Sequence, residues 1–202
     1  MKIALKLVLL IVIIGLGYMV VESIMEPVRF NKQKDIREVA VIQKLEDIRA
    51  AELAYKAVNG RYMSNWDTLI DFVKNSEFPI IKEVADPNDT TNSIIIRDTI
   101  GYMPIADSLY GHRASFNADH LKYVPIPKKF FENEKFELRS GAIERGGMPV
   151  YVFECKTSYT TMLKGLDNQL VVNLIKKVEE MNKYAGLKVG SMDEASTEGN
   201  WK

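Results

Sequence analysis

The beginning of the chain carries the strongest constraint on its fold, because it reads "MKIALKLVLLIVIIGLGYMVV". Residues 7–21 contain no charged side chain. With residues 3–5 the apolar stretch reaches about 19 residues, or roughly 28 Å as a helix, close to the thickness of a bilayer core. Lys6 interrupts the stretch, but a long lysine side chain can reach the membrane interface. This segment predicts a membrane-spanning helix.

The charges around this segment predict its orientation. Lys2 and Lys6 precede the apolar run, and positive charge favours the cytoplasmic side of a membrane. We therefore expect a single-pass protein of the inner membrane, with a cytoplasmic N-terminus and a periplasmic C-terminal domain. A cleaved signal peptide is the alternative, but Val21-Glu22-Ser23 is a poor cleavage site. The predicted organisation is a retained anchor over 1–26, a domain over 27–190 and a loosely held polar tail over 191–202.

A short motif near the end of the apolar run has the pattern of a prepilin-peptidase site. Residues 17–22 read "GYMVVE", a glycine, a bulky apolar residue and a glutamate at the fifth position after the glycine. A prepilin has a short polar leader before this glycine and a long apolar run after it. Here the apolar run comes before Gly17, and Glu22, Glu26 and Arg29 follow soon after. Cleavage behind Gly17 would remove most of the predicted membrane helix, so we interpret the match as fortuitous.

Composition excludes several classes of protein. An apolar fraction of 47% and a charged fraction of 27% are typical of a folded chain. The net charge is formally zero, which gives no support to a nucleic-acid partner. Cys155 is the single cysteine, which rules out an internal disulfide and a cysteine-rich zinc module. No cofactor and no metal ion are predicted.

A long amphipathic helix is predicted after the membrane segment, from about Lys32 to Asn59. Pro27 is expected to mark a bend before it, and Asn59-Gly60 is a typical helix end. Apolar residues in steps of three and four form one stripe on this helix: Val41, Leu45, Ile48, Ala51 and Tyr55. We hypothesise that this stripe and the edges of the β-sheet contact other proteins. The other interpretation is that the stripe packs on the chain's own sheet.

The remaining residues predict a mixed α+β domain. Ser64 or Asn65 is expected to cap a short helix, and Asp167 a C-terminal one. Segments rich in β-branched residues predict strands: "EFPIIKEV", "SIIIRDTIGYMPI", "LKYVPIP", "KFELRSGAIERGG" and "MPVYVFECKTS". Gly146-Gly147 between the last two indicates a hairpin turn. Residues 84–92 and 105–120 are rich in turn-forming residues and are predicted to be surface loops.

Residues 48–73, "IRAAELAYKAVNGRYMSNWDTLIDFV", resemble the segment that follows the membrane helix in pilins and type II secretion pseudopilins. The shared pattern is A-x-x-x-Y, then N-G-x-Y, then a short helix with D-x-L, here Ala51, Tyr55, Asn59, Gly60, Tyr62, Asp67 and Leu69. The resemblance implies a pilin-like antiparallel sheet domain. The whole chain, through "ESIMEPVRF", "IRAAELAYK" and "YAGLKVGSMDEAS", is also similar to a family of single-pass membrane proteins of Bacteroidota, which implies a membrane anchor and no specific activity.

Few residues suggest catalysis or metal binding. The two histidines, His112 and His120, stand near Asp107 and Asp119, but their spacing favours solvated surface residues. Cys155 lies in a strand-like run and is expected to be inert. Asp193, Glu194 and Glu198 resemble a late calcium loop only loosely, because the alternating oxygen ligands and turn glycine are absent. A solvated acidic tail is the preferred interpretation.

These observations favour a non-enzymatic, membrane-anchored envelope protein. We expect it to be a structural or scaffold component of a pilus-like or secretion or surface-assembly complex. Its partners would be other envelope proteins, further copies of itself and the inner membrane lipid. The alternative is a membrane-tethered periplasmic enzyme or ligand-binding protein with a site among residues 84–120. That alternative predicts Asp107, His112, Asp119 and His120 clustered around a cleft.

Overall fold

A computed structural model describes residues 2–85, 95–113, 116–127 and 133–201 of the chain. The fold class is α+β, as predicted, with two small antiparallel sheets. The elements, in chain order, are α1 (Lys2–Asn59), α2 (Trp66–Asn75), β1 (Glu77–Ala85), β2 (Ile95–Pro104), α3 (Ile105–Tyr110), a 3₁₀ turn (Ala118–His120), β3 (Glu137–Arg145), β4 (Met148–Ser158), α4 (Tyr159–Met162), α5 (Asn168–Glu180) and β5 (Gly186–Gly190).

Helix α1 is one continuous element of 58 residues, which corresponds to about 87 Å at the usual helical rise. The sequence predicted a membrane helix and a separate amphipathic helix with Pro27 between them. The structure instead contains Pro27 inside the helix. A proline removes a single N–H donor, and the turns on either side keep their own hydrogen bonds. The helix ends at Asn59, and Gly60 follows with a φ of 73°, as its sequence predicted.

The chain packs into two compact units. The first consists of Met1–Ile42, Pro125–Glu132 and Ser158–Leu187. Within it, the guanidinium of Arg37 is buried and its Nη1 donates hydrogen bonds to the carbonyl oxygens of Met162, at 3.0 Å, and Lys164, at 2.9 Å. Burial lowers the pKa of Arg37. One arginine thereby satisfies two carbonyls at the end of α4, where a helix leaves its acceptors without partners.

Helix α5 in the same unit begins as predicted. The carboxylate of Asp167 accepts a hydrogen bond of 2.8 Å from the backbone N–H of Leu170, which is the cap expected at a helix N-terminus. Val171 is buried, whereas Met181, predicted on the same face, is half exposed to solvent. The apolar face of α5 is therefore buried mainly near its beginning.

The second unit consists of Gln43–Val124, Asn133–Thr157 and Lys188–Lys202. Strands β1 and β2 form a two-stranded antiparallel sheet, and the other sheet has the order β3-β4-β5. Gly146 and Gly147 join β3 to β4 with φ values of 59° and 79°. Both values lie in the left-handed region that a tight hairpin requires and that glycine adopts readily, so the predicted turn is confirmed.

The core of the second unit is formed by α1, α2 and the β3–β4 hairpin. Asn65 caps α2, because its side chain accepts hydrogen bonds from the N–H groups of Asp67 and Thr68. The rings of Tyr55 and Phe72 meet edge to face at 4.9 Å. Buried apolar side chains line this core: Leu45, Ile48, Ala51, Leu69, Ile70, Val73, Phe136, Leu138, Val152 and Phe153.

Two predictions about irregular segments are wrong. The loop predicted over 105–120 contains helix α3 and a 3₁₀ turn, and buries Ile105, Tyr110 and Ala118. The strand predicted in "LKYVPIP" is absent apart from one bridge between Tyr123 and Lys135. Its two prolines lack the N–H donors of a regular ladder. Of the loop predicted over 84–92, residues 86–92 lie outside the described residues.

The C-terminal segment is also more ordered than predicted. Strand β5 was not expected from the sequence. The following residues return to it, since the N–H of Gly190 donates to the carbonyl of Glu198 at 2.9 Å and the N–H of Asn200 to that of Lys188 at 3.0 Å. Val189 and Gly199 form an antiparallel bridge. The tail is therefore fastened to the sheet and is not loosely held.

Candidate interaction surfaces

The first part of α1 exposes apolar side chains on every side of the helix. Over residues 7–21 the exposed fraction reaches 68% at Ile11 and 69% at Tyr18, and stays near one half at Val12. Helix positions 100° apart are all exposed here, so no side of this segment packs on the described chain. A helix that is apolar all round is usually buried in a protein or in a membrane. By length and composition, this helix can cross a membrane.

Polar residues begin abruptly after this segment. Glu22 and Arg29 form an exposed ion pair of 2.7 Å along the helix surface. Lys34 forms an ion pair of 3.0 Å with Glu38, which lies one helical turn after it. Charged pairs of this kind are typical of a helix in water. The change from apolar to charged side chains therefore falls between Val21 and Glu22, on one uninterrupted helix.

The stripe that we predicted as a contact surface is buried inside the protein. Exposed fractions are zero for four of its residues and 8% for the fifth: Val41, Leu45, Ile48, Ala51 and Tyr55. A side chain with no exposed surface packs against its own chain and presents nothing to a second protein. The structure thus favours the other interpretation of the stripe, as part of the protein's own core.

The β1–β2 ribbon exposes apolar side chains to solvent. Ile81, Ile100 and Tyr102 are between one half and two thirds exposed, and Ile80 and Met103 are about two fifths exposed. In the described part of the chain the two strands pair with each other and with no third strand, and their register is irregular between Ile80 and Ile81. Two-stranded sheets are marginally stable in water unless their faces are covered. The ribbon therefore carries an exposed apolar surface of the kind that marks contact sites.

Glu52 is the most unusual ionisable residue of the second unit. Its side chain is fully buried on α1, and its Oε2 accepts a hydrogen bond of 3.0 Å from the backbone N–H of Met63. Its Oε1 has no hydrogen-bond partner among the described residues. Burial raises the pKa of Glu52 to about 8, although the Met63 hydrogen bond acts in the opposite direction. Glu52 is therefore held as a carboxylic acid near neutral pH and ties α1 to the 60–64 segment.

A second buried carboxylate, Asp47, is fully paired. Arg113 approaches it with both terminal nitrogens, at 2.5 Å and 3.0 Å. The hydroxyl of Tyr110 donates to the Asp47 carbonyl at 2.7 Å, and the ring of Tyr110 stacks on Phe116 at 3.7 Å. Burial and the charge of Asp47 raise the pKa of Tyr110. This network fastens α3, Arg113 and Phe116 to α1 and explains why residues 105–113, predicted as part of a loop, are ordered.

The residues proposed for a catalytic or ligand site on the 84–120 segment lie at the protein surface. Asp107, His112, Asp119 and His120 are all exposed to solvent. Asp119 is bound by the ammonium of Lys74 at 2.7 Å, which lowers the pKa of its carboxyl. Across residues 2–85, 95–113, 116–127 and 133–201, no three histidine, cysteine or acidic side chains converge as a metal site would require.

Cys155 and the acidic residues near the C-terminus were the other candidates for a site. Cys155 is fully buried in β4, and burial, with the charges of Glu52 and Glu154, raises the pKa of its thiol. A thiol held in its neutral form is a poor nucleophile. The acids of the late loop, Asp193 and Glu194, are exposed at the protein surface.

Comparison with known proteins adds no relative to this description: no protein-family model, no curated protein and no solved structure matches the chain. Functional inference therefore rests on the surfaces themselves.

Proposed function

We propose that this protein is a non-enzymatic component of the bacterial envelope, anchored in the inner membrane by the first part of α1. Its N-terminus would be cytoplasmic and its remaining residues periplasmic. The observation that carries the proposal is the apolar segment 7–21, which is exposed on all sides of its helix. Lys6 before the segment and Glu22 after it supply the polar ends that a membrane helix needs.

Transfer of this segment into lipid is favourable. It contains eleven leucine, isoleucine and valine residues, each worth about 0.3 to 0.6 kcal/mol near the bilayer centre. The sum, about 3 to 7 kcal/mol, is available without any protein partner because the side chains are already exposed. Left in water, the same surface would drive aggregation.

The role proposed for the rest of the chain is to present surfaces to other envelope proteins. The exposed β1–β2 ribbon, with Ile81, Ile100 and Tyr102, supports this. The resemblance of residues 48–73 to pilins and pseudopilins directs it towards a pilus-like, secretion or surface-assembly complex. Self-association belongs to the same proposal.

The anchor is tested by fractionation of cells that express the full chain. We expect the protein in the inner-membrane fraction, retained after washing with alkaline carbonate. Protease added to spheroplasts should degrade the residues after Glu22. A protein recovered in the soluble fraction, or protected from protease until the inner membrane is broken, would contradict the proposal. Intact mass of the purified protein distinguishes a retained anchor from a cleaved one.

The scaffold role is tested by purification from membranes solubilised in a mild detergent, after crosslinking in intact cells. We expect defined envelope proteins, or further copies of the chain, to be recovered with it. An Ile81→Ser/Tyr102→Ser variant should lose these neighbours, whereas a Val58→Ser variant, changed at an exposed apolar residue of α1, should keep them. Recovery of the wild-type protein as an isolated monomer would argue strongly against a scaffold.

A further inference from the structure

A pocket of about 360 Å³ lies between the segment that follows α1 and the β3–β4 hairpin of the second unit. One wall is formed by Arg61 to Ser64, and the other by Ser140 to Ala142 with Tyr151. Its size is that of a small ligand or of one or two amino-acid residues. It is separate from the β1–β2 ribbon and from the exposed segment of α1.

The wall from Arg61 to Ser64 is held in place from behind. The Met63 N–H is bound by the buried carboxyl of Glu52 at 3.0 Å. The ring of Tyr62 packs on Phe153 at 4.7 Å, and the ammonium of Lys56 lies 4.6 Å from the centre of the same ring. These contacts fix the wall before any ligand arrives, which reduces the entropy lost on binding.

Several polar side chains of the pocket have no partner among the described residues. In the part of the chain that the structure describes, the side chains of Arg61, Ser64, Ser140 and Tyr151 make no hydrogen bond or ion pair. None of the eight lining residues is acidic. Lys56 adds a second positive charge beside Tyr62. The pocket therefore has free donors and a positive charge, which suit a carboxylate.

The second wall belongs to an edge strand. Among the described strands, β3 pairs with β4 alone, as the first strand of the order β3-β4-β5. The two-residue turn makes Arg145 and Met148 a hydrogen-bonded pair. Counting back from Arg145, every second residue of β3 is therefore hydrogen-bonded to β4, and the residues between are not. Ser140 and Ala142 consequently direct their N–H and C=O groups to the open edge. Pro149 opposite Glu144 agrees with this register, because it has no N–H to donate.

We propose that this pocket binds an extended peptide segment that ends in a free carboxylate. The peptide adds a strand to the open edge of β3 through Ser140 and Ala142, its carboxylate pairs with Arg61, and its last side chain lies against Tyr151 and Met63. The inference deepens the proposed function by naming the chemistry of a partner, namely the C-terminal end of another envelope protein.

Main-chain groups at the edge are what favour a peptide over other carboxylate-bearing ligands. A strand offers alternating N–H and C=O groups at the spacing of Ser140 and Ala142, whereas a sugar acid or a free metabolite does not. Hydrogen bonds of this type supply affinity, and the pocket for alternate side chains supplies specificity. An acidic sugar is the competing occupant, and the test includes it.

The test is an NMR titration of the full chain in dodecylmaltoside micelles, with isotope-labelled methyl groups on methionine and alanine. The probes are the acetylated tetrapeptides Thr-Val-X-X, with every pair of residues at the last two positions and a free carboxylate. We expect saturable shifts of the Met63 and Ala142 signals for some of these peptides, and none for Met148 at the turn. Amidation of the peptide carboxylate, or Arg61→Gln, should weaken binding about tenfold, as for the loss of one charge-assisted pair. Arg145→Gln, at an exposed arginine outside the pocket, is the matched control.

Strand addition also predicts how changes to the peptide backbone affect binding. N-methylation of one peptide residue should abolish binding and N-methylation of its neighbour should not, because only alternate residues bond the edge. The proposal is overturned if no peptide binds below about 1 mM, if amidation and Arg61→Gln have no effect, or if glucuronic acid binds through Arg61 and the peptides do not. Membrane fractionation is independent of all these results, so failure of peptide binding leaves the anchor proposal intact, and the reverse also holds.

Discussion

The two parts of α1 share one helix but differ in what surrounds them. Over residues 7–21 the apolar side chains cover the whole circumference and are exposed. Over residues 41–55 five of them form one stripe, and the stripe is buried while Glu46, Arg49 and the exposed Leu53 occupy the other faces. The difference shows that the helix does not select its own environment through backbone geometry. The distribution of apolar side chains around the helix decides which surroundings it favours.

The two parts of α1 also contain two kinds of ionisable residue. In the region next to the apolar segment, Glu22 and Arg29 pair with each other at the surface. In the buried region, Asp47 and Glu52 lie on the interior side of the helix and depend on groups that are distant in sequence, Arg113 and Met63. Surface pairs contribute little to stability, whereas a buried charge without its partner is strongly destabilising.

The largest effect is expected from charges placed in the exposed apolar segment. An Ile11→Lys/Ile13→Lys variant should leave the membrane fraction, because each lysine at mid-bilayer is unfavourable by about 3 kcal/mol. Membrane retention after an alkaline carbonate wash measures this. Ile36→Lys is the matched control, since Ile36 is also exposed on α1 but lies beyond the apolar run. Equal retention of the two variants would show that residues 7–21 do not anchor the protein.

A cavity in the buried stripe should destabilise the fold. Leu45→Ala removes a fully buried side chain and is expected to lower the free energy of unfolding by about 2 to 5 kcal/mol. Urea unfolding in micelles, followed by tryptophan fluorescence, measures the change. Leu10→Ala removes the same atoms from an exposed position and should leave the unfolding midpoint unchanged. If the two variants lost stability equally, the contrast between the two parts of α1 would be wrong.

Glu52 should make the stability depend on pH in an unusual direction. Its folded-state pKa is about 8 against an ordinary value of 4.5, so its contribution is fully present below pH 4.5 and is lost as pH rises towards 8. Wild-type protein should therefore be more stable at pH 5 than at pH 8, by at most about 3.5 kcal/mol.

Glu52→Gln tests this dependence, because the amide cannot ionise but can still accept the Met63 hydrogen bond. We expect the variant to unfold at nearly the same urea concentration at pH 5 and at pH 8. A Glu46→Gln variant, at a partly exposed position on the same helix, should keep the wild-type dependence. A Glu52→Gln protein with an undiminished dependence on pH would show that another group causes it.

A smaller effect is expected from the buried ion pair. Arg113→Ala leaves the Asp47 carboxylate with Gln43 as its remaining side-chain donor, at 3.3 Å. It should lower the free energy of unfolding by about 2 kcal/mol, less than for a fully buried pair because Arg113 is partly exposed.

Arg29→Ala breaks the exposed pair with Glu22 and is the matched comparison. It should change the free energy of unfolding by less than about 0.5 kcal/mol. Both are measured by urea unfolding at pH 7. A large loss for Arg29→Ala, together with a small one for Arg113→Ala, would reverse the interpretation of the two regions.

Local signals were the ones that the sequence predicted well. The helical stripe, the caps at Asn65 and Asp167 and the turn at Gly146-Gly147 each depend on residues within a few positions of one another. The predicted α+β class follows from these signals together. The apolar start of the chain was equally clear, because its composition needs no knowledge of the fold.

Features that depend on distant residues were missed. Helix α3 is ordered because Tyr110 and Arg113 contact Asp47, more than sixty positions earlier in the chain. Strand β5 and the return of the tail depend on pairing between Lys188 and Asn200. The edge pocket joins Arg61 to Ser140 and Tyr151. No periodicity or spacing marks such residues in advance, and Arg61 in particular has the sequence context of an ordinary surface residue.

The burial of Cys155 has a practical consequence. Because the chain has one cysteine and its thiol is fully enclosed and neutral, thiol reagents should modify the native protein only when β4 opens. The rate at which Cys155 is alkylated therefore measures how often β4 opens, and it can be measured in whole cells. A second cysteine introduced at the surface could be labelled selectively with a thiol-reactive dye, without replacing Cys155.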